Sequence, residues 1–302
     1  MNKNFILQTF LWLLPSVLMG QEQSEPMIRV EVEAVNLLVS VTTKEGRSVT
    51  DLDKGSFQVF EDGKRQNLAN FGIESQLPLD IALMIDTSAS VKTKLDFEKR
   101  AAVNFVFAVM KPRDRTMLVE FDTGVTLVSD FTSKPTEVAR RIKGLQAGGG
   151  TALLDAVHVV AGTRFERTSR RNTIIIISDG ADWNSIHTLE EAIRLLQQEN
   201  IIIYAIGTQR IGTTPDRRGE KVLKGLADST GGQVFYPYSI EQLHHAFDLI
   251  NEELRSLYSL TYRPTRKSKN GSYRKVKVRL RKPHHKLVVR HRAGYYGATD
   301  TN

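Results

Sequence analysis

The pattern of apolar and polar residues divides the chain into three stretches. Between Ile28 and Phe71 they alternate with the period of two that is typical of β-strands with one buried face. From Leu77 to Arg255, apolar runs of strand length are separated by amphipathic stretches of helical length. From Ser256 onward the alternation returns, and it is strictest between Lys275 and Arg281. The pattern therefore predicts a β segment, an α/β segment and a second β segment, in that order.

The central segment has the pattern of a sheet that is covered on both faces. The runs 79–85, 173–177 and 201–206 are apolar except for Asp80 and Thr173, which is typical of parallel strands buried on both sides. Amphipathic stretches lie between them, and Thr188 with Glu191 forms a capping box that starts one helix. Another helix is predicted over residues 94–110, with a buried side made of Phe97, Ala101, Phe105 and Ala108. We therefore predict a doubly wound, mostly parallel, Rossmann-like α/β sheet.

The two β segments are each too short to close a core alone, since small units bury too little surface. Their charges are complementary, because Glu31 and Glu33 alternate on the first segment and cations alternate from Lys275 to Arg281 on the second. We predict that residues 27–76 and 256–297 form one discontinuous, β-sandwich-like domain. The α/β domain, residues 77–255, would be inserted between them. Two separate β appendages are the alternative.

The first twenty residues have the pattern of a targeting segment. Lys3 is followed by an interrupted apolar stretch from Phe5 to Met19, and Gly20 offers a small residue for cleavage. The stretch is too short to favour a permanent membrane span. We therefore interpret residues 1–20 as a signal peptide, whose removal leaves a secreted or periplasmic chain. Leu18 fits the cleavage rule poorly, which keeps an uncleaved N-terminal membrane anchor as the alternative.

Composition excludes several classes of protein and places the charge in one region. The chain has 302 residues, 40% of them hydrophobic and 25% charged, which is typical of a folded domain and not of collagen or a polytopic membrane protein. It has no cysteine, so disulfide scaffolds, thiolate zinc sites and thiol catalysis are excluded. The net charge of +8 is local, because residues 255–299 contain fourteen Lys and Arg and no Asp or Glu.

The basic C-terminal region has one structural and one functional explanation. Its cations alternate along a strand and can simply form a solvated outer face. An anionic envelope surface is the functional alternative. Nucleic acid is not an expected partner, because the region lacks the regularly spaced aromatic residues on which bases stack.

Polar residues follow the predicted strands at three places. Asp86, Ser88 and Ser90 come directly after the strand 79–85, Thr151 follows three glycines, and Asp179 follows the isoleucine strand. Ligands of doubly wound sheets bind beyond the carboxyl ends of the strands, so we expect the three loops to meet at one edge. The set offers hydroxyl and carboxylate oxygens without sulfur or imidazole, which suits a hard cation such as Mg²⁺, with Mn²⁺ and Ca²⁺ left open.

Each of these residues also has an explanation that needs no ligand. Ser88 and Ser90 can cap the helix that follows them, and Thr151 can be a helix N-cap. Asp179 with Gly180 can form a turn. Asp155 lies four residues after Thr151, and it is either close to the candidate site or a solvated acid. Asp182 and Trp183 follow Asp179 and are candidates for the rim of the site.

The motifs from about Leu77 to Arg255 resemble those of the von Willebrand factor type A domain. Asp86, Ser88 and Ser90 match its D-x-S-x-S motif, Thr151 matches its metal-binding threonine, and Asp179 matches its distal aspartate. In that family these residues form the metal-ion-dependent adhesion site. The resemblance implies that Ser88, Ser90 and Thr151 ligate the ion directly, whereas Asp86 and Asp179 act directly or through water.

The flanking β segments are similar to those of a bacterial secreted subgroup of the same family. The likeness lies in two short motifs, Glu61-Asp62-Gly63-Lys64 and Arg292-Ala293-Gly294-Tyr295. The resemblance as a whole implies an extracytoplasmic adhesion or scaffolding protein. Its protein ligand would present an Asp or Glu carboxylate to the metal ion.

An enzyme is not expected from the sequence. The chain has no His-Glu-x-x-His metal motif and no Gly-x-Ser-x-Gly nucleophile elbow. The three loops that carry the candidate residues also offer no His or Glu as a general base. Two alternatives to a binding function stay open: a metal-dependent hydrolase, and an envelope assembly module whose ion only stabilises the loops.

Overall fold

The computed structural model describes residues 34–74, 77–163, 165, 170–208, 217–266, 270–282 and 284–297. Its strands are β1 (Val35–Thr42), β2 (Phe57–Glu61), β3 (Lys64–Gln66), β4 (Leu68–Ile73), β5 (Leu79–Asp86), β6 (Arg115–Phe121), β7 (Val125–Thr132), β8 (Arg171–Ser178), β9 (Ile202–Gly207), β10 (Val234–Phe235), β11 (Tyr258–Tyr262), β12 (Tyr273–Leu280), β13 (Val288–His291) and β14 (Gly294–Tyr296). Its α-helices are α1 (Leu95–Val109), α2 (Pro135–Lys143), α3 (Leu153–Thr163), α4 (Leu189–Gln198), α5 (Arg217–Thr230) and α6 (Ile240–Leu254). The predicted signal peptide lies outside the described residues.

The central segment forms a six-stranded sheet in the order β10-β9-β8-β5-β6-β7. β5 lies inside the sheet and pairs in parallel with β6 on one side and β8 on the other. β7 is an edge strand and runs antiparallel to β6. The predicted fold class, a mostly parallel α/β sheet covered by helices, is therefore confirmed.

Helices cover both faces of this sheet, which explains the continuous apolar runs. All eight residues of β5 are buried, and their side chains alternate between two cores. Ile81, Leu83 and Ile85 face the core that contains α1, α2 and α6, whereas Ala82 and Met84 face the core that contains α3, α4 and α5. A strand between two apolar layers is apolar at most positions, and the sequence of β5 shows this pattern. Asp80, near its start, is the exception and pairs with Arg115 and Arg170.

The N-terminal and C-terminal segments build two antiparallel sheets together. The first has the order β13-β1-β11-β4 and the second has the order β14-β12-β2-β3. β11 lies between β1 and β4, and β12 lies between β14 and β2. Side chains of both sheets, including Val39, Val59, Tyr258 and Val278, share one apolar cluster. These pairings support our proposal that residues 27–76 and 256–297 form one discontinuous domain around an inserted α/β domain.

The charge pairing expected between the two segments stays a prediction. Glu31 and Glu33 lie outside the described residues. The basic strand β12 pairs with β2, where Lys277 stands opposite Phe60 and Arg279 stands opposite Gln58. The Arg279 guanidinium lies 5.5 Å from the centre of the Phe60 ring. The outward cations of β12 thus meet an aromatic ring and an amide across the strands, and the inward valines supply the apolar contact.

A buried polar network ties the two ends of the chain together inside this domain. Glu61 is 2% exposed, and its carboxylate accepts hydrogen bonds from Tyr262 at 2.8 Å and Tyr295 at 2.7 Å. The guanidinium of Arg274 lies 3.4 Å from the same carboxylate. Burial, with the hydrogen bond to Glu61, raises the pKa of Tyr295 to about 12. The flanking motifs noted in the sequence therefore meet in space, because one contributes Glu61 and the other Tyr295.

Hydrogen bonds also join the antiparallel sheets to the α/β domain. Arg290 of β13 donates to the Glu253 carboxylate of α6 at 2.5 Å, and Tyr204 of β9 donates to the same carboxylate at 3.0 Å. Glu253 is 2% exposed, so this ion pair is largely shielded from solvent. Within the described part of the chain, no helix is both long and apolar enough to cross a membrane.

Candidate metal centre

Three loops meet at the carboxyl-terminal edge of the parallel sheet. β5 ends at Asp86 and β8 ends at Ser178, directly before Asp179, and the two strands are neighbours. The glycine loop docks on the segment that follows β5, because Gly148 N donates to Thr87 O at 2.7 Å and Ala89 N donates to Gly149 O at 3.1 Å. Adjacent parallel strands end at the same edge, so the fold itself brings the three loops together.

Four of the five predicted ligands form a continuous hydrogen-bonded chain. The Asp86 carboxylate accepts from Ser88 N at 2.9 Å and from the Ser178 hydroxyl at 2.7 Å. The Ser88 and Ser90 hydroxyls lie 2.8 Å apart, and the Ser90 hydroxyl donates to Asp179 Oδ2 at 3.5 Å. Asp86, Ser88 and Asp179 are buried, whereas Ser90 is exposed, so the cluster faces solvent at Ser90.

Thr151, the fifth predicted ligand, is held by its backbone against the segment that follows Asp179. Its carbonyl accepts from Trp183 N and Asn184 N, both at 3.0 Å, and its amide donates to Asn184 Oδ1 at 3.0 Å. The side chain is buried, since the residue is 2% exposed. The structure therefore brings the three predicted loops together at one edge, with Thr151 on the glycine loop that docks against the segment after Asp86.

The explanations that need no ligand account for part of this arrangement. Ser88 precedes a short 3-10 turn, but its side chain caps no backbone amide there. The first turn of α3 is capped from another segment, because Asp155 N donates to the Ser185 hydroxyl at 3.0 Å. Asp179 does form a turn, since its carboxylate accepts from Ala181 N at 3.1 Å. Turn formation and a second role are compatible for Asp179, whose other carboxylate oxygen faces Ser90.

Gly180 keeps Asp179 in place, because no larger residue fits there. Its φ is +78°, and an added Cβ would lie 2.3 Å from Gly219 O. We expect Gly180→Ala to lower the free energy of unfolding by about 2–4 kcal/mol, the sum of left-handed strain and a backbone clash. Gly63→Ala is the matched control, since Gly63 has a φ of +79° and nothing within 4 Å of its Cβ position. Urea unfolding of both variants gives the comparison, and equal losses would contradict the steric argument.

A buried lysine, which sequence reasoning missed, lies beside the predicted ligands. Lys94 is 3% exposed, and its Nζ lies 3.7 Å from Asp179 Oδ2. Burial raises the pKa of Asp86 to about 6; the hydrogen bonds from Ser178 and Ser88 oppose this shift, and the charge of Asp179 adds to it. The site thus combines two carboxylates with one internal cation.

Glu98 is a second residue that the sequence pattern misplaced. The helix α1 buries Ala101 and Phe105 as expected, but Ala108 is exposed and Glu98 is fully buried instead. Neither carboxyl oxygen of Glu98 has a hydrogen-bond partner among the described residues. Burial, together with the nearby charge of Asp86, raises the pKa of Glu98 well above its ordinary value. The neutral acid is therefore favoured beneath the site.

The donor set fits a hard divalent cation. It consists of hydroxyl and carboxylate oxygens already in mutual contact, and a buried Asp86 whose charge is costly without a counter-ion. In the part of the chain that the structure describes, no group of three or more His, Cys, Asp or Glu side chains is placed to hold a metal. A metal at this edge would therefore depend on the serine and threonine hydroxyls for most of its protein ligands.

The charge of Lys94 should weaken metal binding, since an ammonium close to Asp179 repels a divalent ion. We expect Lys94→Met to tighten Mg²⁺ binding by about tenfold. This gain in binding free energy is a modest fraction of the Coulomb repulsion between an ammonium and a divalent ion at such distances. Lys92→Met, which removes an exposed cation two residues away, is the control and should leave the affinity unchanged. Calorimetric titration with MgCl₂ measures both variants, and weaker binding by Lys94→Met would show that Lys94 supports the site.

The comparisons with known proteins agree with the fold. Residues 81–181 match the family model of the von Willebrand factor type A domain, which confirms the resemblance over those residues. No curated protein matches the chain. The match does not include the flanking β segments, whose likeness to a secreted bacterial subgroup stays a prediction.

Two solved structures share the fold at low sequence identity, and a third aligns with part of the chain. A von Willebrand factor type A protein from Catenulispora acidiphila aligns over 90% of this chain and 76% of its own, with 13% identity and a TM-score of 0.51. Proximal thread matrix protein 1 from the mussel byssus, with a zinc-occupied MIDAS motif, aligns over 64% of this chain and 49% of its own, with 20% identity and a TM-score of 0.51. An aerotolerance-related membrane protein from Bacteroides fragilis aligns over 58% and 98%, with 17% identity and a TM-score of 0.49.

Proposed function

With residues 81–181 matching the von Willebrand factor type A family, we propose that this chain is an extracytoplasmic protein-binding module that acts in adhesion or scaffolding. The observation that carries the proposal is the oxygen cluster at the carboxyl-terminal edge of the sheet. It links Asp86, Ser88, Ser90 and Asp179 by hydrogen bonds, and a ligand can reach it at the exposed Ser90.

Five side chains would hold the metal ion, which we propose to be Mg²⁺, with Mn²⁺ and Ca²⁺ as alternatives. The hydroxyls of Ser88, Ser90 and Thr151 would be direct ligands, and Asp86 and Asp179 would act directly or through water. The hydrogen bonds from Ser88 N and Ser178 fix the orientation of the Asp86 carboxylate. When bound, the ion supplies a positive centre that takes up an Asp or Glu carboxylate of a protein ligand.

A binding role suits this site better than hydrolysis. Lys94, a titratable group beside the ligands, is paired with Asp179, and Glu98 is buried without a hydrogen-bond partner among the described residues. A general base must be ionised and within reach of a water molecule or substrate, and neither group meets both conditions. A metal-dependent hydrolase is therefore the weaker alternative, and a purely structural ion is the other.

The test uses a displayed library of random peptides, selected on the immobilised protein in MgCl₂ and in EDTA. We expect peptides with Asp or Glu to be enriched in MgCl₂, and this enrichment to vanish in EDTA and on the Asp86→Ala variant. Acidic enrichment that persists in EDTA would assign binding to another face of the domain. If Mg²⁺ binds but selects no acidic peptide, the ion is structural and the proposed function is wrong.

We further propose that the basic strand β12 contacts an anionic envelope surface, whereas nucleic acid is not an expected partner. Lys275, Lys277 and Arg279 are exposed on one face of their sheet, and none has a carboxylate ion-pair partner among the described residues. Each cation near an anionic bilayer contributes about 1 kcal/mol of attraction. We expect the fraction of protein that co-sediments with phosphatidylglycerol vesicles to fall when these three residues are replaced by serine. The fraction that co-sediments with phosphatidylcholine vesicles should not change.

The cellular location follows from the proposed signal peptide. Residues 1–20 would be cleaved to give a secreted or periplasmic protein, and an N-terminal membrane anchor is the alternative. N-terminal sequencing of the mature protein distinguishes the two, because only cleavage removes the apolar stretch from Phe5 to Met19.

A further inference from the structure

The segment that follows Asp179 presents two large apolar side chains to solvent beside the predicted ligands. We call Ala181–His187 the rim segment, because its backbone bonds to Thr151. Trp183 is 69% exposed and Ile186 is 86% exposed, so neither side chain belongs to a core of the described structure. Trp183 N donates directly to Thr151 O at 3.0 Å. An exposed tryptophan and isoleucine on one short segment therefore adjoin the candidate metal centre.

Hydrogen bonds fix the first half of the rim segment onto the glycine loop. Asn184 both donates its amide to Thr151 O and accepts from Thr151 N through its side chain. The fit is close, because a Cβ on Gly150 would lie 2.1 Å from Asn184 Oδ1. Ser185 N donates to the Asp182 carboxylate at 3.3 Å. Trp183 thus stands on backbone that is anchored on both sides.

The second half of the rim segment is fixed onto α3. The Asp155 carboxylate accepts from Ile186 N at 3.1 Å and from His187 N at 2.9 Å. It also pairs with His187 Nδ1 at 2.7 Å, and the His187 ring stacks on His158 with centroids 3.7 Å apart. Although burial opposes it, the hydrogen bonds from His187 and Ile186 lower the pKa of Asp155. Asp155 therefore anchors the segment that carries Ile186.

This combination is expected of a binding surface. Exposed apolar side chains on a segment that is already ordered lose little conformational entropy when a ligand covers them. Tryptophan is also among the residues that dominate the energy of protein interfaces when it is buried at their centre. A ligand carboxylate at the metal ion would bring the neighbouring ligand residues over the rim segment, since that segment is bonded to Thr151.

We propose that Trp183 and Ile186 form the apolar half of the ligand site, and that the ligand is a polypeptide segment with an apolar side chain next to its Asp or Glu. This inference rests on the proposed function and adds the second specificity element. The carboxylate would be read by the metal centre and the apolar side chain by the rim segment. A polar acidic ligand, such as an acidic polysaccharide, would satisfy only the first.

The same library of random displayed peptides tests the inference on three proteins in MgCl₂. On the unmodified protein we expect the selected peptides to contain an acidic residue with an aromatic or large aliphatic residue within two positions of it. On the double variant Trp183→Ser, Ile186→Ser we expect acidic enrichment to remain and apolar enrichment to fall at least fivefold. Phe107→Ser, which removes an aromatic side chain that is 54% exposed on α1, is the control and should select the same peptides as the unmodified protein.

Affinity measurements on one selected peptide complete the test. We expect the double variant to bind it at least tenfold more weakly while its Mg²⁺ affinity stays unchanged, which shows that the metal centre is intact. A companion variant, Trp183→Phe with Ile186→Ser, should recover part of the lost peptide affinity. Unchanged apolar enrichment on the double variant would overturn the inference and leave the proposed function standing. Absence of acidic enrichment on the unmodified protein would overturn both.

Discussion

Replacing Asp86 should remove metal binding and, in chelator, stabilise the protein. We expect Asp86→Ala to abolish measurable Mg²⁺ binding and to leave the fold intact, because Asp86 is the last residue of β5 and belongs to neither apolar core. We expect Asp86→Asn to be more stable than the unmodified protein in EDTA at pH 7. The reason is that burial makes the charged form of Asp86 costly in the folded state.

The sign of this effect follows from the direction of the pKa shift. The pKa of Asp86 is raised from 3.8 to about 6 in the folded state. The stability associated with this carboxyl is therefore fully present below pH 4 and is lost as the pH rises through 6. The shift corresponds to about 3 kcal/mol at pH 7, and asparagine should recover part of it. The buried Glu98, whose pKa is raised in the same direction, should add to this loss at higher pH.

Urea unfolding in EDTA at pH 4 and pH 7 measures the effect. The stability gain of Asp86→Asn should be near zero at pH 4 and appear at pH 7. Added MgCl₂ should reverse the order of stability, because only the unmodified protein gains binding energy. An asparagine variant that is less stable than the unmodified protein at pH 7 would contradict the proposed cost of the buried charge.

Removing residues 257–302 should unfold the N-terminal strands and leave the α/β domain folded but less stable, because Glu253 of α6 loses its partner Arg290. β11 is the strand between β1 and β4, and β12 is the strand between β2 and β14. The deletion leaves β1 without a partner on either side and removes both tyrosine partners of Glu61. A buried carboxylate without partners is strongly unfavourable, so the remaining strands cannot stay folded.

Hydrogen exchange provides the measurement for this deletion. Amides of residues 35–73 should exchange at least about 100-fold faster, whereas those of β5 and β8 should keep their protection. Tyr262→Phe is the milder companion variant, which removes one hydrogen bond to Glu61 and should cost about 1–2 kcal/mol. Unchanged exchange in residues 35–73 of the deleted chain would show that the two β segments are independent.

Sequence reasoning identified most elements of the α/β domain but missed some short or polar ones. The strands at 79–85 and 173–177 were predictable because their apolar runs have no competing interpretation. The helix α5 was not predicted, since its apolar residues are few and many of its positions are charged. The two-residue strand β10 and the three-residue strand β14 are too short to show any periodicity.

The candidate metal centre was likewise only partly visible in the sequence. Asp86, Ser88, Ser90, Thr151 and Asp179 stood out because each follows a strand or a glycine loop in a recognisable motif. Lys94 and Glu98 did not, because a lysine before a helix and a glutamate within one are ordinary surface residues in a pattern. Their burial depends on how α1 packs on the sheet, which residue spacing alone does not specify.

The amino-acid sequence by itself determined how apolar and polar residues alternate in each segment. This alternation predicts the parallel sheet, the order of the segments and the loops that carry oxygen ligands. These features are local, since they follow from residue types a few positions apart. The tertiary structure decided which distant residues meet: Glu61 with Tyr262 and Tyr295, Lys94 with Asp179, and Asp155 with the rim segment. Such contacts join residues 30 to 234 positions apart along the chain. Only the packing of complete elements brings these residues together, and no short pattern in the sequence encodes it.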